Sequence, residues 1–408
     1  GGGGASEVGI NGNSDGDKKG GRGGDGKYEV NSNEFKTFFG ITDNTVGDHI
    51  DGKIYFAGGG GGGNDNSTNS INLSDGTGYN NRGGKGGGGD GGYNSNNLSN
   101  PGKTNTGGGG GGTTYFGSNY KGGDGGSGIV VIRYKKYIQR EIKIPKNNVH
   151  GYLHYDGFDW TIDKTKNTGD TVLDELVFDY TQDTENKPTV TPNIDSIIID
   201  PNLLTNDITI QQQYIKFIYD LDNDNGDGQT EYTINFPKKY ICDILLVGGG
   251  GSGGSYGGGG GGGDVIYETE IELSGSYIIK VGKGGDSQTD NTSPYKNGNP
   301  GKNSIIYQVK DNTQIAFRGA SGGGGGSGWG VISQIPTPLA INYAGKQYGS
   351  QGGGGGGINS TNGVISSFWR RPVAIMQRSN FPVAKSFDDA FWILSSLDKS
   401  NSRLTNFL

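Results

Sequence analysis

The sequence predicts an all-β fold in which polyglycine-II helix bundles alternate with ordinary strands, followed by one short C-terminal helix. The first observation is composition: 85 of the 408 residues are glycine and only 30% are hydrophobic, whereas typical glycine usage is about 7%. The second is that glycine occurs in separate runs, between which the chain is rich in Tyr, Ile, Val and Phe. This alternation favours a built structure over a uniform linker.

Composition and charge exclude several classes of protein. The 12 prolines accompany no strict Gly-X-Y period, which excludes collagen. The net charge of −7 argues against a generic nucleic-acid-binding protein, so we expect no nucleic-acid partner. No apolar run approaches the ~20 residues of a membrane-spanning helix. The single cysteine, Cys242, excludes a disulfide framework and is interpreted as a small core residue.

The glycine runs fall into two groups, which predict two glycine-rich modules joined by a β-rich segment. The predicted units are a partial first module at 1–136, a β-rich connecting segment or small domain at 137–239, a second module at 240–366 and a tail at 367–408. KIYFAGGGGGG at 53–63 matches QIAFRGASGGGGG at 314–326, so the modules read as copies of one repeat. The first copy lacks the leading strands of the second, and the chain begins with Gly1 rather than Met. We therefore expect a piece of a longer polypeptide that starts inside a repeat.

The end of the first module and the segment between the two modules have strand patterns. IVVIRYKKYI at 129–138 predicts one strand, and GYLHYDGFDWTIDKT at 151–165 predicts two short strands around an Asp-Gly turn. QYIKFIYDL at 213–221 and QTEYTINFP at 229–237 predict a hairpin, and Pro237 predicts a break before the next strand. The sequence leaves open whether this segment is a small sandwich domain or a set of strands that link the modules.

The second module begins with a buried strand, and the tail contains a helix. The apolar residues of 241–247 predict a strand that passes directly into the glycine-dense stretch 248–263. In the tail, SFDDAFWILSSL at 386–397 has apolar residues at helical spacing, with Ser386 and Asp389 placed as a capping box. This helix is predicted either to cap the module or to dock on a neighbouring protein.

Glycine runs can become ordered through their main chain. A polyglycine-II helix has three residues per turn, a rise of about 3.1 Å and no internal hydrogen bonds, so its N–H and C=O groups need lateral partners. Without Cβ atoms, several such chains can approach closely enough to bond to one another. Glycine loses much entropy on ordering and each bond contributes only ~0.5–1.5 kcal/mol net, so we expect the bundle to depend on the flanking strands. A flexible linker is the alternative.

The second module resembles a known family. CDILLVGGGGSGGSYGGGGGGGDVIYETEIELSGSYIIKVGKGGD at 242–286 resembles the glycine-rich domains of phage tail-fibre and tip adhesins and of many giant-virus surface proteins. GGDGGSGIVVIRY at 122–134 resembles the closing strand of the same domains, and the resemblance covers about 1–136 and 231–366. It implies a scaffold at the virion surface or outside the cell, with receptor binding in some members through loops at the tip of the glycine prism. The first copy departs from the pattern by lacking its start, and the second by lacking its closing strand.

One acidic stretch, DLDNDNGDGQTE at 220–231, is a candidate calcium loop. Its carboxylates at positions 1, 3, 5 and 12 of such a loop are Asp220, Asp222, Asp224 and Glu231. Asn225 stands at the sixth position instead of glycine, and the flanking sequences predict strands rather than helices. A solvated acidic turn is the alternative. No other cofactor and no catalytic residue is predicted.

Two functions therefore remain open, and neither is an enzyme. The first is a structural subunit of a viral fibre, tail or capsid surface, whose partners are further copies or other virion proteins. The second is an adhesin that binds a host glycan or protein through loops such as 64–82, 90–106 and 327–351. Tyrosines beside the glycine runs, such as Tyr115 and Tyr256, suit such contacts or serve as spacers.

Overall fold

A computed structural model of the chain describes most of residues 1–328. The described residues are 1–10, 12, 20–30, 32–41, 43–64, 81–92, 99–113, 121–136, 188–192, 211–255, 257–288 and 296–328, with the backbones of short strands at 139–209 and 341–348. The chain divides into two compact units, Gly1–Trp369 and Arg370–Leu408. The predicted helix at 386–397 lies outside the described residues.

The described part of the chain is mostly β-structure, as the sequence predicts. The first strands are β1 (Glu29–Val30), β2 (Asn33–Glu34), β3 (Asp48–Ile50), β4 (Lys53–Tyr55) and β5 (Ile129–Lys136). The middle strands are β6 (Gln139–Lys143), β7 (Tyr152–Tyr155), β8 (Trp160–Asp163), β9 (Phe178–Thr181), β10 (Thr189–Thr191), β11 (Ile197–Ile199), β12 (Leu204–Thr205) and β13 (Ile208–Thr209). The last are β14 (Gln211–Ile218), β15 (Gln229–Val247), β16 (Val265–Gly282), β17 (Ser304–Lys310), β18 (Thr313–Ala320), β19 (Ile341–Tyr343) and β20 (Lys346–Tyr348). No helix in the described residues is long and apolar enough to cross a membrane.

One short helix, α1 (Phe35–Phe39), lies where the sequence did not predict one. Phe35 and Phe39 are four residues apart, lie on the same face and are both buried. The helix ends at Gly40, whose φ of 63° is the left-handed conformation that glycine adopts without steric cost. Its aromatic face packs on the sheet, with the Phe38 and Tyr267 ring centroids 5.4 Å apart.

The main sheet joins strands from both glycine-rich parts of the sequence. Its order is β11-β14-β5-β15-β16-β17-β18, with β10 paired to β15 beside this path. All of its pairs are antiparallel. Strand β5 lies between β14 and the end of β15, with Ile132 opposite Ile244. The closing strand of the predicted first module therefore pairs with the opening strand of the predicted second module.

The hairpin predicted for 213–221 and 229–237 is wrong. Strand β14 pairs with β5 along its whole length, while the first part of β15 pairs with β16 and β10. The two predicted partners meet face to face instead: Tyr232 Oη donates a hydrogen bond to Ile218 O at 2.8 Å, and the rings of Tyr232 and Phe217 are 5.4 Å apart. Apolar alternation identifies the buried face of each strand but does not identify its hydrogen-bonding partner.

The break predicted at Pro237 is a bulge within one continuous strand. Strand β15 runs through this proline, and its pairing with β16 shifts register between Phe236 and Tyr240. Proline lacks an N–H group, so it is tolerated where the ladder is interrupted. The two short strands predicted at 151–165 are confirmed as β7 and β8, which pair antiparallel.

Two hydrophobic clusters cover opposite faces of the central strands. Val130 and Ile132 of β5 belong to one cluster, which reaches β14, β16, β17 and β18. Ile129 and Val131 belong to the other, which includes α1 and β4. Because successive side chains of a strand point to opposite faces, a strand buried on both faces reads as a continuous apolar run. Cys242 is fully buried in the first cluster, as predicted.

The glycine-rich segments form one hydrogen-bonded body that continues directly from the strands, and we term it the glycine layer. It comprises residues 1–4, 20–26, 58–64, 81–92, 99–113, 121–128, 248–255, 257–264, 283–286, 296–303 and 321–328. Runs from the two predicted modules bond to each other, as in Gly60 N–H to Gly260 O at 2.8 Å and Gly110 N–H to Gly251 O at 2.9 Å. The module boundaries at 136/137 and 239/240 stay predictions.

Candidate functional site

The run 58–63 of the glycine layer donates hydrogen bonds to three neighbouring segments. The acceptors for the N–H groups of residues 59 to 64 are, in order, the carbonyls of Gly24, Gly260, Gly89, Gly21, Gly257 and Gly92. Residues three apart therefore donate to the same neighbouring segment. The six donor–acceptor distances are 2.8–2.9 Å, which is the usual range for N–H···O bonds.

The same run accepts hydrogen bonds from three further segments of the described chain. The carbonyl oxygens of Gly58 and Gly61 accept from Gly109 and Gly112, that of Gly59 accepts from Gly84, and that of Gly60 accepts from Gly2. The run is thus surrounded laterally by main chain alone. All of its N–H groups and its first four carbonyls are bonded without any side chain, as buried backbone requires.

The run 248–255, from the second part of the chain, repeats this arrangement. The acceptors for its successive N–H groups are the carbonyls of Asp264, Lys302, Gly126, Gly261, Asn299, Gly123, Gly258 and Lys296. The donor–acceptor distances are 2.8–3.0 Å. Each of the three acceptor segments recurs every third residue, so the pattern belongs to the layer as a whole.

Lateral packing at most of the layer's glycines leaves no room for a side chain. A Cβ placed on Gly60 would lie 2.0 Å from Gly110 O, and one on Gly253 would lie 2.0 Å from Gly111 O. Real Cβ atoms essentially never come within 3.0 Å of such neighbours. The atoms in the way are backbone carbonyls, which cannot rotate aside as the end of a side chain can. Glycine is therefore required at these positions by the closeness of the neighbouring chain.

At one end of the layer, residues that precede or follow four chain connections are hydrogen-bonded to one another. The relevant hydrogen bonds are Asn64 N–H to Gly92 O, Gly92 N–H to Gly112 O, Thr113 N–H to Gly254 O and Ser255 N–H to Lys296 O. The stretches 65–80, 93–98, 114–120 and 289–295 thus start or finish at this end, opposite the sheet. Those stretches, with Tyr115 and Tyr256, lie outside the described residues, as do most of 64–82 and 327–351.

The candidate calcium loop connects β14 to β15, and its carboxylates are used within the turn. Asp220 accepts hydrogen bonds from Asp222 N–H at 3.1 Å and Asn223 Nδ2 at 2.7 Å. Asp224 accepts from Tyr219 Oη at 2.6 Å and from the N–H groups of glycines 226 and 228. The Tyr219 bond, followed by these backbone bonds, lowers the pKa of Asp224.

The fourth predicted ligand lies on the strand rather than in the turn. Glu231 belongs to β15 and forms an ion pair with Lys280 of β16 at 3.1 Å. Among the residues that the structure describes, no group of three or more His, Cys, Asp or Glu side chains is arranged to hold a metal ion. Calcium binding stays a prediction, and in this arrangement it requires the turn to rearrange.

Calorimetry tests the calcium hypothesis directly. The hypothesis predicts saturable binding at up to millimolar calcium, weakened in Asp222→Asn, because this substitution removes one ligand charge while leaving the hydrogen bonds of Asp220 and Asp224 in place. Heat no larger than that of dilution in the unaltered chain would contradict it.

A buried ion pair that the sequence analysis did not identify connects α1 to the sheet. Arg133 of β5 bonds to Asp243 Oδ2 through Nε at 2.8 Å and Nη2 at 2.6 Å. The guanidinium lies 3.8 Å from the ring centroid of Phe38 and also donates to the Phe38 carbonyl. Asp243 Oδ1 accepts from Glu270 N–H at 3.0 Å. The signal in the sequence was one charged residue within each of two otherwise apolar stretches, 129–134 and 241–247.

A second ion pair holds the loop after α1 against β14. Lys216 Nζ donates to Asp43 and to Thr45 Oγ1, and Asp43 Oδ1 accepts from Thr45 N–H and Oγ1, both at 2.8 Å. Burial alone would raise the pKa of Asp43, but the bonds from Lys216 and Thr45 outweigh it and lower the pKa. This contact stabilises packing and shows no catalytic arrangement.

Comparison with known proteins identifies the family but no individual relative. A family model described as "Glycine-rich domain" matches residues 1–135 and 226–370. No curated protein and no solved structure matches the chain. The matched ranges contain the strands and the glycine runs described above, and they cover more than half of the residues. The chain therefore belongs to the glycine-rich domain family.

Proposed function

We propose that this chain is a non-enzymatic structural protein of a virion, in which the glycine layer is a polyglycine-II bundle that acts as a rigid scaffold. The observation that carries the proposal is the three-residue recurrence of lateral main-chain hydrogen bonds in runs 58–63 and 248–255. A polyglycine-II helix has three residues per turn and directs its polar groups outward. Residues three apart in such a helix face the same neighbour, so the same neighbouring segment should accept a hydrogen bond from every third residue.

Stiffness follows from this bonding. Runs 58–63 and 248–255 are each hydrogen-bonded to several neighbouring segments, so bending either run requires several bonds to break together. Each bond contributes only about 0.5–1.5 kcal/mol net, which the conformational entropy of glycine largely offsets. The two hydrophobic clusters of the adjoining sheet supply the remaining stabilisation. The scaffold is thus a glycine layer anchored on strands.

The location of the protein is inferred from resemblance. The segment 242–286 resembles glycine-rich domains of phage fibres, phage tip adhesins and giant-virus surface proteins. We accordingly place the protein at a virion surface or outside the cell, as a component of a fibre, a tail or the capsid surface. Its partners are further copies of this chain or other virion structural proteins.

Electron microscopy of the source particle tests this role. The expected result is density for the chain as an ordered part of a fibre, tail or capsid surface, with antibody labelling at the same position. Purified particles that lack the chain would refute the virion role. Hydrogen exchange tests the scaffold separately, because amides of run 58–63 that exchange at open-chain rates would refute a rigid layer.

An adhesin is the alternative function, and one observation favours it. Residues flanking the stretches 65–80, 93–98, 114–120 and 289–295 meet at one end of the layer, so these connections start from one surface. A rigid base that presents several loops together suits recognition of a host glycan or protein.

Glycan-array and host-cell binding with loop variants tests this alternative. Shortening 65–80 should abolish binding if the loops recognise the host. Asp311→Asn with Asn312→Gly is the matched control, because it alters the β17–β18 turn, and both residues have the positive φ that Asn and Gly accept. Equal binding by the loop variant and the control would contradict the adhesin function.

A further inference from the structure

The turn between β14 and β15 contains an asparagine followed by a glycine, Asn225 and Gly226, and both residues are exposed. Asparagine is one of the thermally labile residues, because the backbone nitrogen of the next residue can attack its side-chain carbonyl carbon and displace ammonia. Glycine obstructs this attack least, since it carries no Cβ. A Cβ built on Gly226 would meet nothing within 4 Å in the described chain. Little steric hindrance therefore opposes the reaction in this turn.

The hydrogen bonds of the turn place a proton acceptor beside the attacking nitrogen. Asp224 Oδ1 accepts the Gly226 N–H at 2.7 Å. The other oxygen, Oδ2, accepts from Tyr219 Oη at 2.6 Å, and this bond is the main cause that lowers the pKa of Asp224. Asp224 is therefore ionised at neutral pH and can take the proton of Gly226 as the new bond forms.

A second hydrogen bond polarises the carbonyl group that is attacked. Asn225 Oδ1 accepts the Asp227 N–H at 3.0 Å, which holds the side chain against the following main chain as an Asx turn. Negative charge develops on this oxygen when a nitrogen adds to Cγ, and an N–H group that already points at the oxygen stabilises that charge. The turn thus places a nucleophile, a proton acceptor and a donor to the developing oxyanion around one side-chain amide.

We propose that Asn225 is a self-modification site, at which the Gly226 nitrogen attacks Asn225 Cγ and closes a succinimide ring. The proton of Gly226 passes to Asp224, the Cγ–Nδ2 bond breaks, and Nδ2 takes that proton and leaves as ammonia. Water then opens the ring at either of its carbonyls and leaves aspartate or isoaspartate at position 225. The proposal does not depend on the virion or adhesin role.

The product changes both the charge and the main-chain path of the turn. Loss of ammonia adds a negative charge beside Asp222, Asp224 and Asp227, and isoaspartate inserts an extra methylene group into the main chain. The turn is tied to the glycine layer, because Gly228 O accepts from Lys283 N–H at 2.9 Å. The modification therefore alters the surface beside the layer irreversibly as the protein ages.

The chain contains its own comparison, because the structure also describes the asparagine–glycine pair at 297–298. Gly298 is buried in the glycine layer, and its N–H donates to Gly326 O at 2.8 Å. Asn297 Oδ1 accepts from Gly328 N–H at 2.8 Å. The acceptor of the Gly298 proton is a backbone carbonyl, which is far less basic than a carboxylate. Attack at this pair therefore requires the layer to open first.

Peptide mapping by mass spectrometry tests the site in the full chain, incubated at neutral pH for increasing times. Replacement of the side-chain NH2 by OH changes the peptide mass, and chromatography separates the aspartate and isoaspartate forms. Asn225 should deamidate at least about tenfold faster than Asn297, because only the second asparagine requires local opening. This comparison uses the unaltered chain, so it holds whether or not any variant folds.

Substitution of the glycine tests the attacking nitrogen. Gly226→Ala should slow the reaction at Asn225 by about fivefold or more, since the added methyl group hinders the nitrogen. Gly228→Ala is the matched control, because it strains the same turn at another positive φ and leaves the attacking nitrogen unaltered. The control should change the rate by less than about twofold.

Two further variants test the Asp224 carboxylate. Asp224→Ser keeps a hydrogen-bond acceptor without a basic group, and it should slow deamidation of Asn225 by at least about threefold. Tyr219→Phe removes the same Tyr219–Asp224 bond but keeps the carboxylate, and loss of that bond makes Asp224 more basic. Its rate should therefore equal or exceed that of the unaltered chain.

Three results would overturn the proposal. Deamidation of Asn225 that is no faster than that of Asn297, or that is not slowed by Gly226→Ala, would contradict the site. A rate that Asp224→Ser does not lower would contradict the role of the carboxylate. Equal slowing by Asp224→Ser and Tyr219→Phe would also contradict that role, because the effect would then come from the geometry of the turn.

Discussion

Replacing Gly60 with alanine tests whether lateral main-chain contact holds the glycine layer together. The added Cβ would lie 2.0 Å from Gly110 O, whereas ordinary van der Waals contact begins near 3.4 Å. The segment containing Gly110 must therefore retreat by about 1.4 Å. The bonds from Gly110 N–H to Gly251 O, at 2.9 Å, and from Gly260 N–H to Gly110 O, at 2.8 Å, would then exceed hydrogen-bonding distance.

The expected cost follows from these two bonds. Their loss leaves four buried groups without partners, and each such group costs about 1–3 kcal/mol, or roughly 4–12 kcal/mol in all without relaxation. Relaxation of the layer reduces this sum, and alanine loses about 0.5–1 kcal/mol less entropy than glycine on folding. We expect Gly60→Ala to lower the free energy of unfolding by about 3–6 kcal/mol, a large part of the ~5–15 kcal/mol that holds typical domains folded.

Urea unfolding followed by fluorescence measures this difference. Gly226→Ala is the matched control, because a Cβ there meets nothing within 4 Å. The control pays only the backbone strain of its positive φ, about 1–2 kcal/mol. If the two variants lose the same stability, the layer is not held by close lateral contact and the physical reasoning about it fails.

Three further predictions concern the packing around the sheet. Arg133→Met leaves the Asp243 carboxylate buried without its partner, so unfolding measurements should show a loss of about 3–5 kcal/mol. The exposed ion pair of Lys239 provides the comparison, and Lys239→Met should cost at most about 1 kcal/mol. Asp43 has a folded-state pKa below its usual 3.8, so its contribution is present at neutral pH and is lost as pH falls through the folded pKa. The stability difference between the unaltered chain and Asp43→Asn should thus be largest near neutral pH and shrink below about pH 4; a constant difference would contradict this. Burial raises the pKa of the Cys242 thiol, so a thiol reagent at neutral pH should modify it only as fast as the protein unfolds, and rapid native-state labelling would contradict its place in the core.

The positions of many strands could be predicted from the sequence, because strand formation depends on the residue types within a few neighbouring positions. The strands β4, β5, β17 and β18 lie where apolar, β-branched and aromatic residues occur together. The apolar residues of 241–247 indicated a buried strand, and both hydrophobic clusters include residues from it, so the strand is buried on both faces. Helix α1 was missed because a helix of five residues contains too few turns to produce a clear periodic signal.

Pairing and long-range contact were decided by the tertiary structure. The two strands predicted as a hairpin, β14 and β15, are separated in the sheet by β5, which comes from a distant part of the chain. The pair Arg133–Asp243 joins residues 110 positions apart, and neither residue alone indicates its partner. Hydrogen-bond ladders can form between any two strands with suitable faces, so the partner depends on how the whole chain closes.

The glycine runs show this division most clearly. Composition by itself determined that these segments have no side chains to bury and that any order in them must come from main-chain hydrogen bonds. Only the tertiary structure decided that Gly60 bonds to Gly260 and Gly110 to Gly251, so that both halves of the chain share one layer. The physical reason is that every glycine offers the same donor and acceptor. The neighbours of each run are therefore selected by the strands that lead into it and out of it.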